Sequence, residues 1–226
     1  MMSTIAENLY RVQARIQSAC QAAGRDPGSV RLLAVSKTRG PDDVRQAHAA
    51  GQTAFGENYI QEGVDKILAL KDLALEWHCI GPIQSNKTRL VAEHFDWVHA
   101  IDRLKTAERL SAQRPASLPP LQVCIQVNID GGANKSGVWP DQALALAQAV
   151  AALPQLQLRG IMTIPEPADE TATRAVHAQA HALWSLLKSQ GLHLDTLSMG
   201  MTTDLEAAVH EGSTLVRVGT AIFGER

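Results

Sequence analysis

The chain has 226 residues, and at about 150 residues per domain this leaves room for one large or two small domains. Hydrophobic residues make up 45% and charged residues 19%, which excludes a mainly disordered chain. Lys plus Arg number 21 against 23 Asp plus Glu, a net charge of −2, so no overall field gathers nucleic acid or anionic lipid. Aromatics are only 4%, too few for a single-strand stacking platform.

The first segment carries Ile5, Leu9, Val12, Ile16 and Cys20 at steps of three and four, an apolar helical stripe over 3–23 closed by Gly24. It shows no apolar leader core and no cleavage site, and no run approaches 18 apolar residues. Leu32-Leu-Ala-Val-Ser-Lys37 then reads as a buried strand, and Pro41 opens a helix that Gly51 ends.

The alternation repeats. Strands are predicted near 53–57, 76–81, 97–101, 122–129, 157–163, 195–199 and 214–219, with helices near 58–71, 86–93, 103–113, 140–152, 168–190 and 203–211. Eight strands separated by helical segments imply a parallel sheet and suit a (β/α)₈ barrel, with an open doubly wound sheet as the alternative. The last strand runs out near Arg226, leaving no room for a full eighth outer helix, and the helix at 3–23 is placed to cover that gap. No Ser/Gly-rich linker divides the chain, so residues 1–226 are read as one domain. Cys20, Cys79 and Cys124 are odd in number, widely spaced and set in apolar stretches, so buried reduced thiols are expected.

In a barrel the C-terminal strand ends face the site. These ends carry Lys37, Asn58, His78, Asn128, Thr163, Ser198-Met199-Gly200 and Arg217-Val218-Gly219-Thr220. A lysine closing an apolar strand at a desolvated mouth is a candidate nucleophilic amine. Gly200 and Gly219 permit close backbone approach, and hydroxyls flank both, the composition of a phosphate cradle. Lysine and cradle together suggest a phosphorylated carbonyl ligand, either pyridoxal 5′-phosphate (PLP) or a phosphorylated sugar. His177 and His181 stand four apart on a helix but lack a third ligand, so no metal site is expected. Lys135, in the turn-rich 130–137 loop, reads as a solvated charge rather than part of a nucleotide-binding loop.

With these residues in hand, the chain resembles the pyridoxal phosphate homeostasis protein family across nearly its whole length. The resemblance rests on Ala34-Val-Ser-Lys37, Phe55-Gly-Glu-Asn-Tyr59 with Gln61-Glu62, and the run Trp77 to Lys87. It continues through Gln126-Val-Asn-Ile129, Lys135-Ser-Gly137, Gly160-Ile-Met-Thr163, Ser198-Met-Gly-Met201 with Asp204, and Gly212 to Gly224. Two positions depart from the pattern: Gly132 stands where an acidic residue is expected, and Thr202 where serine is commoner.

The resemblance implies a barrel like the N-terminal domain of alanine racemases, with PLP held as a Schiff base on Lys37. It further implies phosphate contacts from Ser198, Gly200, Gly219 and Thr220, and Arg217 near the pyridine nitrogen. Asn58, His78 and Met199 would line the pocket. An arginine there keeps the nitrogen unprotonated and weakens the ring as an electron sink. A racemase also needs a second proton donor, which alanine racemases take from a further domain, and the chain is read as ending with the barrel. The expectation is a cytoplasmic, monomeric PLP-binding protein that stores and delivers the cofactor, with PLP-dependent apoenzymes as partners, no nucleic acid, no membrane and no efficient turnover. A PLP-dependent amino-acid racemase or lyase is the runner-up, and a Schiff-base aldolase or sugar-phosphate isomerase the third reading.

Overall fold

The computed structural model describes residues 4–132 and 135–225. The predicted start of the first helix at Ser3, Ala133 and Asn134 of the predicted loop, and Arg226 lie outside them. Helix α1 (Ile5–Ala22) begins in a capping box, with Thr4 and Glu7 satisfying each other's backbone N–H groups, and ends where Gly24 takes a φ of 66°. The strands β1 (Arg31–Val35), β2 (Ala54–Glu57), β3 (Glu76–Cys79), β4 (Trp97–Ile101), β5 (Leu121–Gln126), β6 (Leu156–Met162), β7 (Thr196–Ser198) and β8 (Leu215–Val218) follow. Between them run α2 (Pro41–Ala49), α3 (Ile60–Ala69), α4 (Thr88–His94), α5 (Leu104–Gln113), α6 (Ala143–Ala151), α7 (Glu170–Ser189) and α8 (Leu205–His210).

Every strand pairs in parallel with its sequence neighbour, and β8 returns to β1, so the sheet is a closed eight-stranded barrel. Closure settles the choice between barrel and open sheet. The strands stop one to three residues short of several predicted ends, because residues such as Lys37 and Thr163 have already turned into the loops. After β8 the described residues form a single helical turn, α9 (Thr220–Phe223). Helix α1 packs across α8 and α9, filling the place of an eighth outer helix. Asn8 Nδ2 donates to Ile222 O at 2.9 Å, and Arg25 Nη1 to Val209 O at 2.6 Å, fixing it there.

Strand residues alternate between two environments. One set, including Ala34, Phe55, Trp77, Val98, Val123, Ile161 and Leu197, packs outward under the helices in the main core. The other set fills the barrel: Leu33, Val35, Ala54, Ile80 and Leu215 on one side, Trp97, Ala100, Cys124 and Met162 on the other. All three cysteines are free and buried, and burial pushes the Cys79 and Cys124 thiols up to about 12. Among the described residues, no helix is long and apolar enough to cross a membrane.

Candidate functional site

A cavity of about 610 Å³ opens at the C-terminal mouth of the barrel. Lys37, Asn58, Arg217, Gly219 and Thr220 line it, together with Thr38, Arg39, Thr202, Thr203 and apolar Ile80, Ile164, Met201 and Phe223. Lys37 is half-buried, two residues past the apolar end of β1. The Asn58 Oδ1 atom is buried and has no partner among the described residues, a polar atom waiting for a donor.

Arg217 is only 4% exposed, and burial lowers its guanidinium to about 10. It donates from Nη1 to Ser198 Oγ and from Nη2 to Thr163 O, both at 2.8 Å. The rest of its donor edge makes no hydrogen bond among the described residues. At Gly219 an added Cβ would sit 3.0 Å from Val35 O, so the glycine lets β8 close tightly over β1 beside Lys37.

Four predicted residues stand behind this lining. Ser198 is fully buried beneath Arg217, and Met199 packs into the main core under the outer helices. Gly200 has a φ of 97°, and an added Cβ would meet Ala208 Cβ at 2.5 Å, so it serves the approach of α8. The position of His78 corrects the expectation of a lining residue: it is 0% exposed and points down the barrel toward Glu76 and His99. Lys135 is not a solvated charge either. Its Nζ donates to Asp130 Oδ2 at 2.8 Å and Ile164 O at 3.0 Å beside the mouth. His177 is buried and paired with Asp204 at 3.0 Å, which in turn accepts from Met201 N at 2.6 Å.

Sequence reasoning missed a buried ion cluster behind Lys37. Lys66 Nζ donates to Ser36 O at 2.6 Å, Glu57 Oε1 at 2.8 Å and Glu62 Oε1 at 2.6 Å. Ser36 Oγ also donates to Glu57 Oε1, and Thr38 N to Glu62 Oε1, both at 2.5 Å. Thr38 holds a φ of 62°, a left-handed conformation costly for a β-branched residue. The cluster thus clamps the backbone on both sides of Lys37 and, through Glu57, the residue before Asn58. Desolvation raises the Glu57 carboxyl above its ordinary range, and Lys66 opposes the shift. Glu57 and Glu62 stood in quoted motifs. Lys66 gave no signal beyond a charge at helical spacing from Glu62.

The cavity thus gathers a primary amine, a buried guanidinium and several hydroxyls in a volume suited to a small phosphorylated ligand. The family model for the N-terminal domain of alanine racemase matches residues 7–226. A pyridoxal phosphate homeostasis protein of Pseudomonas aeruginosa is 63% identical over 100% of this chain and 97% of its own. The PipY protein of Synechococcus elongatus, solved with PLP bound, is 39% identical with a TM-score of 0.84, covering 98% of this chain and 100% of that one. Alanine racemase from Corynebacterium glutamicum shares the fold, with a TM-score of 0.72 at 20% identity, over 98% of this chain and 61% of that chain. The chain is a member of the alanine racemase N-terminal domain family, in its pyridoxal phosphate homeostasis protein branch.

Proposed function

We propose that this chain binds PLP in the mouth cavity and acts in PLP homeostasis, storing and delivering the cofactor without efficient turnover of its own. The observation that carries this reading is the placement of Lys37 and Arg217 in one cavity beside the unpartnered Asn58 Oδ1. PLP supplies an aldehyde that condenses with a primary amine, with loss of water, and Lys37 presents that amine. Thr202, Thr203, Gly219 and Thr220 stand where hydroxyl and backbone donors would hold the phosphate. Ser198 and Gly200 would then act from behind, through Arg217 and the seat of α8. Asn58 would contribute its acceptor to the ring substituents, and His78 and Met199 would support rather than touch.

The whole 1–226 barrel is proposed as one PLP-binding domain, cytoplasmic and monomeric, delivering PLP to apoenzymes. The curated relatives are named for homeostasis rather than for racemisation, and the racemase reading is not favoured. The test is the visible absorption of purified protein mixed with PLP, followed by borohydride reduction and peptide mapping. A phosphopyridoxyl label on Lys37, lost in Lys37→Ala, is the expected result. Protein that stays colourless and unlabelled overturns the reading.

A further inference from the structure

A line of buried side chains crosses the barrel from the mouth to the opposite end. Arg217 Nη1 is 2.8 Å from Ser198 Oγ, and Ser198 Oγ is 2.9 Å from His99 Nδ1. His99 Nε2 is 2.9 Å from His78 Nδ1, and His78 Nε2 is 2.8 Å from Glu76 Oε1. Ser198, His99 and His78 are all 0% exposed, and Glu76, at the far end of β3, is also held by Arg31 at 2.6 Å.

One arrangement of protons satisfies every member. Arginine only donates and an ionised carboxylate only accepts. The Ser198 oxygen accepts from Arg217, so its single hydrogen has one remaining neighbour, His99 Nδ1. A proton on that Nδ1 would strand the hydroxyl hydrogen in the interior without an acceptor, which is costly. His99 therefore accepts at Nδ1 and donates from Nε2. His78 must then accept at Nδ1 and donate from Nε2 to Glu76. All four bonds point from Arg217 to Glu76, and both imidazoles are neutral. Burial independently pushes both rings below the ordinary histidine range. The plane of His78 is fixed by stacking on Trp97, with centroids 5.1 Å apart and an interplanar angle of 9°.

We propose that His99 and His78, acting through Ser198, are positioning residues for Arg217. The polarised chain holds the guanidinium in one orientation at the cavity wall and so sets how tightly the cavity binds PLP. This role rests on the PLP-binding reading above, whereas the proton arrangement does not.

Two measurements test it. Nitrogen NMR of histidine-labelled protein at neutral pH, without PLP, should show His78 and His99 neutral and protonated at Nε2. An Nδ1 proton or an imidazolium on either ring overturns the chain. Absorption titration with PLP should then show Ser198→Ala and His99→Phe each binding about tenfold more weakly, the scale of one lost buried bond to a charged group. The absorption maximum of bound PLP should shift in both, because Arg217 loses the Ser198 hydroxyl or the histidine that orients it and keeps Thr163 O as its one fully ordered anchor. Glu76→Gln keeps an acceptor for His78 and should leave the maximum in place. Folded Ser198→Ala with unchanged affinity and spectrum overturns the positioning role, even if His99→Phe does not fold. Wild-type protein that takes up no PLP overturns the proposed function and with it the positioning role, while the NMR pattern still decides the proton arrangement.

Discussion

Lys66 and Glu57, nine residues apart, form an ion pair of 2.8 Å buried behind the strand ends that carry Lys37 and Asn58. Their side chains are 5% and 0% exposed. Such a pair is weak evidence for stability, because both charges lost their water, but removing one partner leaves the other uncompensated. Lys66→Met should therefore cost about 3 kcal/mol or more in denaturant unfolding. The double variant Lys66→Met with Glu57→Gln should recover part of that loss. A single variant as stable as the parent would show that the pair contributes nothing.

Gly160 admits no side chain. A Cβ there would stand 1.6 Å from Thr196 O on the neighbouring strand, inside any contact distance. Gly160→Ala must push β6 from β7, and a loss above about 4 kcal/mol, or failure to fold, is expected. Expression and thermal unfolding of this variant check the contact directly.

Acid should weaken the fold through the buried His78 and His99. Both fold with values depressed below the ordinary 6.5, so the unfolded chain binds more protons as pH falls. Their contribution is full above about pH 6.5 and declines as pH drops through and below it. Denaturant midpoints at about pH 7.5 and about pH 5 should therefore differ more in the parent than in His99→Phe. That comparison isolates the histidines from Glu57, whose raised carboxyl acts in the opposite sense.

The three thiols should be silent in the native state. All are buried, and Cys79 and Cys124 hold their protons to about 12, so little thiolate exists to react. A thiol reagent should label none of them until denaturant is added. Rapid labelling of native protein would show that the core opens easily.

Much of the architecture was legible in the residues alone. Alternating apolar runs and helical stripes place eight strands and the helices between them, because both periods are local. The amine at Lys37 was legible for the same reason: a lysine ending Leu-Leu-Ala-Val is conspicuous without any neighbour. So was the surplus helix at the N-terminus, whose stripe needed a partner that α8 and α9 supply.

Direction and pairing were decided by the tertiary structure. His78 sits near the C-terminal end of a short strand, which predicts a side chain at the mouth, yet its partners are Glu76, two residues back, and His99 on the next strand. His99 lies where β4 and β5 slip register between Val98 and Ile101, and no local pattern reveals which face a residue takes inside such an irregularity. Ser198 meets His99 across a closed barrel, 99 residues from one end of a single hydrogen bond to the other, and accepts from Arg217 on its other side. Sequence periodicity reports whether a side chain is buried; closure of the barrel decides which buried polar groups face each other, and those pairings set the protons that the site depends on.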